Sequence, residues 1–231
     1  KKKARAELNL PINAFLFTMV AANKENPPRK GFQEVLEAFK MFVEKHPEAM
    51  ILFHTQQTAP GNFPIAEYAD YLGISKSIMF YDPVKAAHFS GSDTVAKEMS
   101  ACDIYLQPSQ TEGFGLTSVE AQSCGRPVIV NNCTSMPEMV VPGKTGEICE
   151  TKHRWWRSQN GYVYTADPNS MYEKMEILYD KIKKNPNKIQ SDCRNHVLTN
   201  FSMDSIFKNN WIPFLEELQT ELLGKPKEGK N

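Results

Sequence analysis

Long apolar runs are missing from this chain of 231 residues. No stretch reaches the roughly 20 apolar residues that a membrane-spanning helix needs. Net charge is missing as well, because 27 Lys and Arg balance 27 Asp and Glu. A balanced chain has no bulk field to hold nucleic acid or an anionic membrane, so any anion site must be built locally. The five cysteines, Cys102, Cys124, Cys133, Cys149 and Cys193, are odd in number and include no CxxC pair. Reduced thiols in the cytoplasm are the simplest reading. No signal-peptide pattern opens the sequence, and no internal repeat recurs. No group of His, Cys, Asp and Glu has metal-ligand spacing.

What is present is alternation. AFLFTMVAA (14–22), AMILFH (49–54), SIMFY (77–81), DIYLQ (103–107) and PVIV (127–130) read as buried strands, and KTGEIC (144–149) as a short sixth. Helical patterns separate them. Over 31–47, Phe32, Val35, Leu36, Phe39, Phe42 and Val43 fall on one helical face. Further helices are expected near 64–72 and 94–101, and between the fourth and fifth strands. Strand and helix in alternation predict an α/β fold with a parallel sheet and right-handed crossovers. Residues 1–11 read as a linker and 12–200 as the main domain. An aromatic-rich insertion of no clear period occupies about 150–166. Helices follow over 171–185 and 187–200, and a C-terminal helix over 201–223 carries Trp211, Phe214, Leu215, Leu218 and Leu222 on a face expected to pack in the core. A polar tail, 224–231, closes the chain.

The stretch QPSQTEGFGLTSVEAQSCGRPVIV, 107–130, places one acid, Glu112, in a glycine loop and a second, Glu120, on the helix after it. In parallel α/β sheets ligands bind at the carboxyl ends of strands. The amino end of the following helix offers unpaired N–H groups and partial positive charge, which suit phosphate. Gly113 and Gly115 remove Cβ atoms where a ligand approaches the backbone, and Thr117 and Ser118 are candidates to cap the helix or to donate to an anion. Two carboxylates beside an anion site make sense as acceptors for hydroxyls. Glu112 would hold a sugar and Glu120 a ribose, with a pyrophosphate between them. Each acid alone also reads as an ordinary loop or helix-flank residue, and it is their joint spacing that carries the argument.

TEGFGLTSVEAQSCGRPVIVNN resembles the C-terminal, donor-binding domain of GT-B glycosyltransferases of the family 4 type. The match runs through Pro108, Ser109, Glu112, Gly113, Phe114, Gly115, Leu116, Glu120, Ala121, Gly125, Pro127 and Val128, and continues at Pro137, Glu138, Gly143, Thr145 and Gly146. RKGF upstream resembles the family's Lys-Gly segment after the first strand. The resemblance covers about 12–150 well and the helical tail loosely. It implies a three-layer Rossmann-like domain and retaining transfer of a sugar from a nucleoside diphosphate sugar, on UDP or GDP, to an acceptor hydroxyl. It implies no metal, and DIY lacks the second acid of a metal-binding DxD; no cofactor beyond the donor is expected. Glu112 would hold the transferred sugar, backbone from Phe114 to Thr117 the diphosphate and sugar, Glu120 the ribose, and Lys30 the leaving diphosphate. Where the family has an Arg, this chain has Lys24, with Arg29 as its rival; Lys is a point charge without the guanidinium fork. Base contacts are expected from backbone around Phe80, Tyr81 and Asp82.

Arg29 and Lys30 by themselves also read as a solvated basic pair, and His54 takes no role. HRWWR (153–157) is the least family-like stretch; an aromatic surface insertion, a partner-domain contact, an acceptor platform and peripheral contact with the inner face of a membrane all stay open for it. The family's N-terminal acceptor domain is absent from this sequence. The chain is therefore expected to be a piece of a longer enzyme that binds nucleotide-sugar and transfers slowly or not at all alone. The competing reading is a non-catalytic nucleotide-sugar-binding module or partner subunit. An epimerase-type Rossmann enzyme would need a GxGxxG after the first strand, and VAANKENPPRKG has none.

Overall fold

The computed structural model describes residues 1–57, 61–81, 91–157 and 160–223. The expected tail, Asp82 and the loop at Pro60 lie outside the described residues. In chain order the first elements are α1 (Lys2–Glu7), β1 (Phe15–Val20), α2 (Phe32–Lys45), β2 (Ala49–His54), α3 (Ile65–Tyr71) and β3 (Ile78–Phe80). Next come α4 (Ser92–Ala101), β4 (Ile104–Gln107), α5 (Leu116–Ser123), β5 (Val128–Asn131) and β6 (Gly146–Cys149). The chain then forms β7 (Thr151–Arg157), β8 (Gly161–Ala166), α6 (Pro168–Lys184), α7 (Pro186–Asn200), α8 (Met203–Ile206), a π-helical turn (Phe207–Trp211) and α9 (Ile212–Leu223).

Six strands make one parallel sheet in the order β3-β2-β1-β4-β5-β6. The chain winds outward from β1 to β3, returns to pair β4 with β1, and winds outward again on the other side. The direction of winding therefore reverses between β1 and β4, and the loops leaving their carboxyl ends splay apart there. That switch point is where RKGF and TEGFG emerge.

The core explains why the sequence reads so cleanly as α/β. Residues of β1, β4 and β5 are buried on both sides of the sheet, so they appear as nearly unbroken apolar runs. On one face Phe17 meets Phe39 at 5.8 Å and Phe42 at 5.0 Å, both edge to face. These residues come from the apolar stripe of α2 expected from its spacing, and Phe32, Val35, Leu36, Phe39 and Phe42 are all buried. The other face packs Leu16, Leu52, Tyr105, Val128 and Val130 against Met99 of α4 and Ala121 of α5.

Three expectations need correction. Residues 1–11 contain α1, and Arg5, only 1% exposed, donates to the carbonyls of Ala101, Ile12 and Ala14 and pairs with Asp103 at 2.8 Å. Its partners lie in distant sequence, so composition alone read a charged linker. The insertion at 150–166 is an antiparallel hairpin, β7 with β8, in which Trp155 pairs with Val163 and Trp156 with Tyr162. Charged and aromatic side chains on both strand faces hide its period of two. The apolar stripe at 211–222 does not enter the core. Trp211 is 52% exposed and Leu222 73%, and Phe214, Leu215 and Leu218 are exposed beside them.

Candidate functional site

The loop after β1 and the loop after β4 meet through their backbones. The N–H of Gln110 donates to the carbonyl of Arg29 at 2.8 Å. Gly31 makes this approach possible. It lies at φ +79°, and a Cβ there would sit 2.5 Å from the carbonyl oxygen of Pro108. Gly31→Ala is expected to cost roughly 2–3 kcal/mol, from left-handed strain plus the clash, as read by urea unfolding. A loss below 0.5 kcal/mol would show that the two loops part freely.

Between the loops lies a cleft of about 270 Å³, lined by Met19 and Val20 at the end of β1 and Ala21 just after it, by Lys30, and by Gln107, Ser109, Glu112 and Phe114 to Thr117. Lys30 Nζ donates to Glu112 Oε1 at 2.5 Å, with the two side chains 21% and 15% exposed. α5 starts at this cleft. Its N-cap, Gly115, has φ 94° and contributes no side-chain cap. Among the described residues nothing accepts from the amide N–H of Leu116 or Thr117. A cation, a carboxylate and a helix amino end with free donors thus face one volume.

The surroundings hold these groups rigidly. Tyr105 is fully buried, and its hydroxyl donates to the Val20 carbonyl at 3.1 Å, fixing the end of β1 that floors the cleft. Burial also pushes its phenol well above the usual range. Thr134 Oγ1 accepts from the Glu112 N–H at 3.2 Å, and Ser135 Oγ donates to the Phe114 carbonyl at 3.0 Å. Cys133, beside them, is pushed up to about 11 by burial, so its thiol stays neutral and packs against the Ser109 and Gln110 carbonyls.

The family model described as glycosyl transferases group 1 matches residues 1–158. The chain belongs to the group 1 glycosyl transferases. It is 30% identical over 150 residues to a D-inositol 3-phosphate glycosyltransferase of Corynebacterium jeikeium, covering 63% of this chain and 34% of that protein. A protein of the same name from Mycolicibacterium gilvum is 32% identical over 107 residues, which are 46% of this chain and 23% of that one. The chain thus spans about a third or less of the length of these relatives. Its fold matches the C-terminal domain of the group 1 glycosyl transferase LpcC of Francisella tularensis at TM-score 0.68 and 20% identity, over 87% of this chain and 93% of that one. It also matches Anabaena HepE in complex with UDP-glucose at TM-score 0.68 and 17% identity, over 93% of this chain and 52% of that one. The architecture is the C-terminal Rossmann-like half of a GT-B glycosyltransferase.

In this group 1 glycosyl transferase the cleft gathers Lys30, Glu112, Phe114, Gly115, Leu116 and Thr117. The remaining candidates stand apart from its lining. Glu120 is exposed one turn along α5 from Leu116, hence on the same side of the helix. Lys24 is exposed. Arg29 points to the Thr111 carbonyl at 2.8 Å and to Glu25 at 3.3 Å, and so braces the loop. Gly113 has open space where a Cβ would sit, so the protein itself does not require glycine there. Phe80 and Tyr81 line a second cavity with Leu52 and Leu8 to Leu10. Tyr81 stacks on His54 at 5.0 Å, and His54 in turn bonds Glu98 at 2.6 Å. β3 lies three strands from β4, about 14 Å across the sheet.

Spacing in the sequence does not reveal the part Gln107 plays. Its Oε1 accepts from both the Thr117 and Ser118 hydroxyls, so neither hydroxyl caps α5, and both proton donors expected for an anion are taken. One signal for it existed: a polar residue ending the apolar strand DIYLQ must find partners when buried.

Proposed function

We propose that this chain is the donor-binding half of a retaining glycosyltransferase that moves a hexose from a nucleoside diphosphate sugar, UDP in the first instance, to an acceptor hydroxyl. The observation that carries this reading is the convergence of Lys30, Glu112 and the free amide donors of Leu116 and Thr117 on one cleft. In the reaction the bond from the anomeric carbon to the diphosphate breaks, the acceptor oxygen takes its place, and the acceptor's proton passes to the departing diphosphate. Negative charge grows on the diphosphate and positive charge on the sugar. Lys30 and the α5 amino end meet the first, with no metal needed. Glu112 holds the sugar's hydroxyls and offsets the second. Lys30 and Glu112 neutralise each other across the cleft, so a bound diphosphate would draw Lys30 away and free the carboxylate.

Glu120, one turn deeper on α5, takes the ribose. Backbone near Phe80 and Tyr81 takes the base, across the switch point. The acceptor side comes from an N-terminal domain of the parent protein. The exposed apolar stripe of α9 supports a missing neighbour, since such a face is costly in water.

Glu120→Ala is expected to weaken UDP binding roughly 10–100-fold, the worth of hydrogen bonds to a carboxylate. Calorimetry should find the loss for UDP and little of it for an analogue lacking ribose hydroxyls. An equal loss for both ligands would remove the ribose role, and no loss at all would remove Glu120 from the site.

A further inference from the structure

At the opposite, amino-terminal end of the strands lies a further cavity of about 220 Å³. Arg126 lines it from the turn between α5 and β5, with its backbone N–H held by the Ala121 carbonyl at 3.0 Å. The residue is 8% exposed, and its Nε is buried with no acceptor. No ion pair to Arg126 forms among the described residues. Asp103 faces the same cavity, but its two oxygens are taken by Lys1 at 2.6 Å and Arg5 at 2.8 Å. The nearby thiols of Cys102 and Cys193 are both pushed up to about 12 by burial, so they stay neutral and offer no countercharge.

Another wall is the start of α7, with Pro186, Asn187 and Gln190 lining the cavity. Asn185 caps this 15-residue helix by accepting from the Lys188 N–H at 3.1 Å. Pro186 has no N–H to satisfy. The Asn187 N–H has no acceptor among the described residues. The close seat of α7 depends on Gly125, at φ +74°, where a Cβ would lie 2.5 Å from Gln190 Cγ. A guanidinium whose Nε is buried without an acceptor is costly, and a helix amino end with a free donor adds positive potential to the same space.

We propose that this cavity binds a small phosphate-class oxyanion, free or as a phosphate monoester, between the Arg126 guanidinium and the amino end of α7. The site lies at the end of the strands opposite the donor cleft and uses none of its residues. A phosphate group is the matching chemistry: the guanidinium fork offers parallel donors to two oxygens, and the Asn187 N–H reaches a third.

The test is titration of the ¹⁵N-labelled full-length protein with inorganic phosphate, and separately with glycerol phosphate, followed by NMR. Saturable shifts are expected at the Arg126 Nε–H and the Asn187 amide. Tighter response to the ester would identify a phosphorylated small molecule as the source, and equal or weaker response the free ion. Titration with UDP should move Leu116 and Thr117 instead, so failure of the donor reading is seen separately. A silent Arg126 Nε–H in both phosphate arms would overturn the proposal, including the case in which another segment's acidic side chain already holds it.

Arg126→Met supplies a second readout. It is expected to melt above wild type without phosphate, because an unpaired buried charge is gone. Phosphate at ten times its dissociation constant should raise wild type by about 3 °C more than the variant. A variant that melts lower than wild type by the same margin in both buffers would make Arg126 merely structural.

Discussion

Glu112→Gln in the full-length protein is expected to lower kcat about 10²–10³-fold, the usual loss when one charge-stabilising group leaves a reacting centre, while affinity for free UDP holds or rises. The two changes have opposite signs because Glu112 stands in two relations. Toward the sugar its carboxylate, on the proposed reading, accepts hydroxyls and opposes developing positive charge, and Gln keeps the shape but loses the charge. Toward Lys30 it would, on the same reading, compete with the diphosphate, because the pair at 2.5 Å occupies the ammonium that the leaving group would use. Removing the carboxylate leaves Lys30 unpartnered and ready for phosphate, so nucleotide binding loses a cost that wild type carries. Lys30→Met is the counterpart and should weaken both UDP affinity and turnover. Steady-state kinetics and calorimetry on the two variants separate these outcomes. If Glu112→Gln loses UDP affinity in proportion to kcat, the residue only braces its loop, and the catalytic assignment fails.

This site was legible because its logic is local. A glycine loop after DIYLQ and before a helix fixes where Glu112 and the first amides of α5 must lie, and the family pattern names the same positions. Lys30 was legible by the same rule applied to β1. What stayed hidden depends on contacts across the fold. Arg29 sits beside Lys30 in sequence, yet it turns to Thr111 and Glu25 and braces the loop outside the cleft. Gln107 holds α5 through two hydroxyls, which no spacing rule announces. Thr134 and Ser135 steady the Glu112 loop from the far side of β5, about twenty residues on. Phe80 and Tyr81 were expected near the nucleotide's base; the cavity they line is shared with α1, whose existence was itself missed. The stripe on α9 is apolar, as its spacing predicts, but it is not core. Periodicity reports that a face is apolar, and only tertiary structure reports what, if anything, covers it.

Asp103→Ala should cost about 3–5 kcal/mol, the range for orphaning one member of a buried ion pair, or roughly 6–20 °C in Tm at this chain length. Asp103 is 4% exposed and does three jobs at the start of β4. Its Oδ2 accepts from Arg5 Nη2 at 2.8 Å and from the Leu16 N–H at 2.9 Å, while its Oδ1 takes Lys1 at 2.6 Å. Alanine would strand a fully buried guanidinium and a buried backbone donor together. The carbonyls of Ala101, Ile12 and Ala14 would still surround Arg5, but dipoles do not replace a countercharge. Lys40→Ala, which breaks the exposed pair with Glu44, is the contrast, with an expected change under about 0.5 kcal/mol. Salt separates the two cases further, because 1 M NaCl screens the surface pair and leaves the buried one nearly untouched. The decisive variant is Arg5→Met with Asp103→Leu, which removes both charges and fills the space. It should recover most of the loss, because the penalty lies in leaving one charge alone. If the double variant is as unstable as Asp103→Ala, α1 is held by side-chain shape and by the Leu16 hydrogen bond, and the ion pair contributes little.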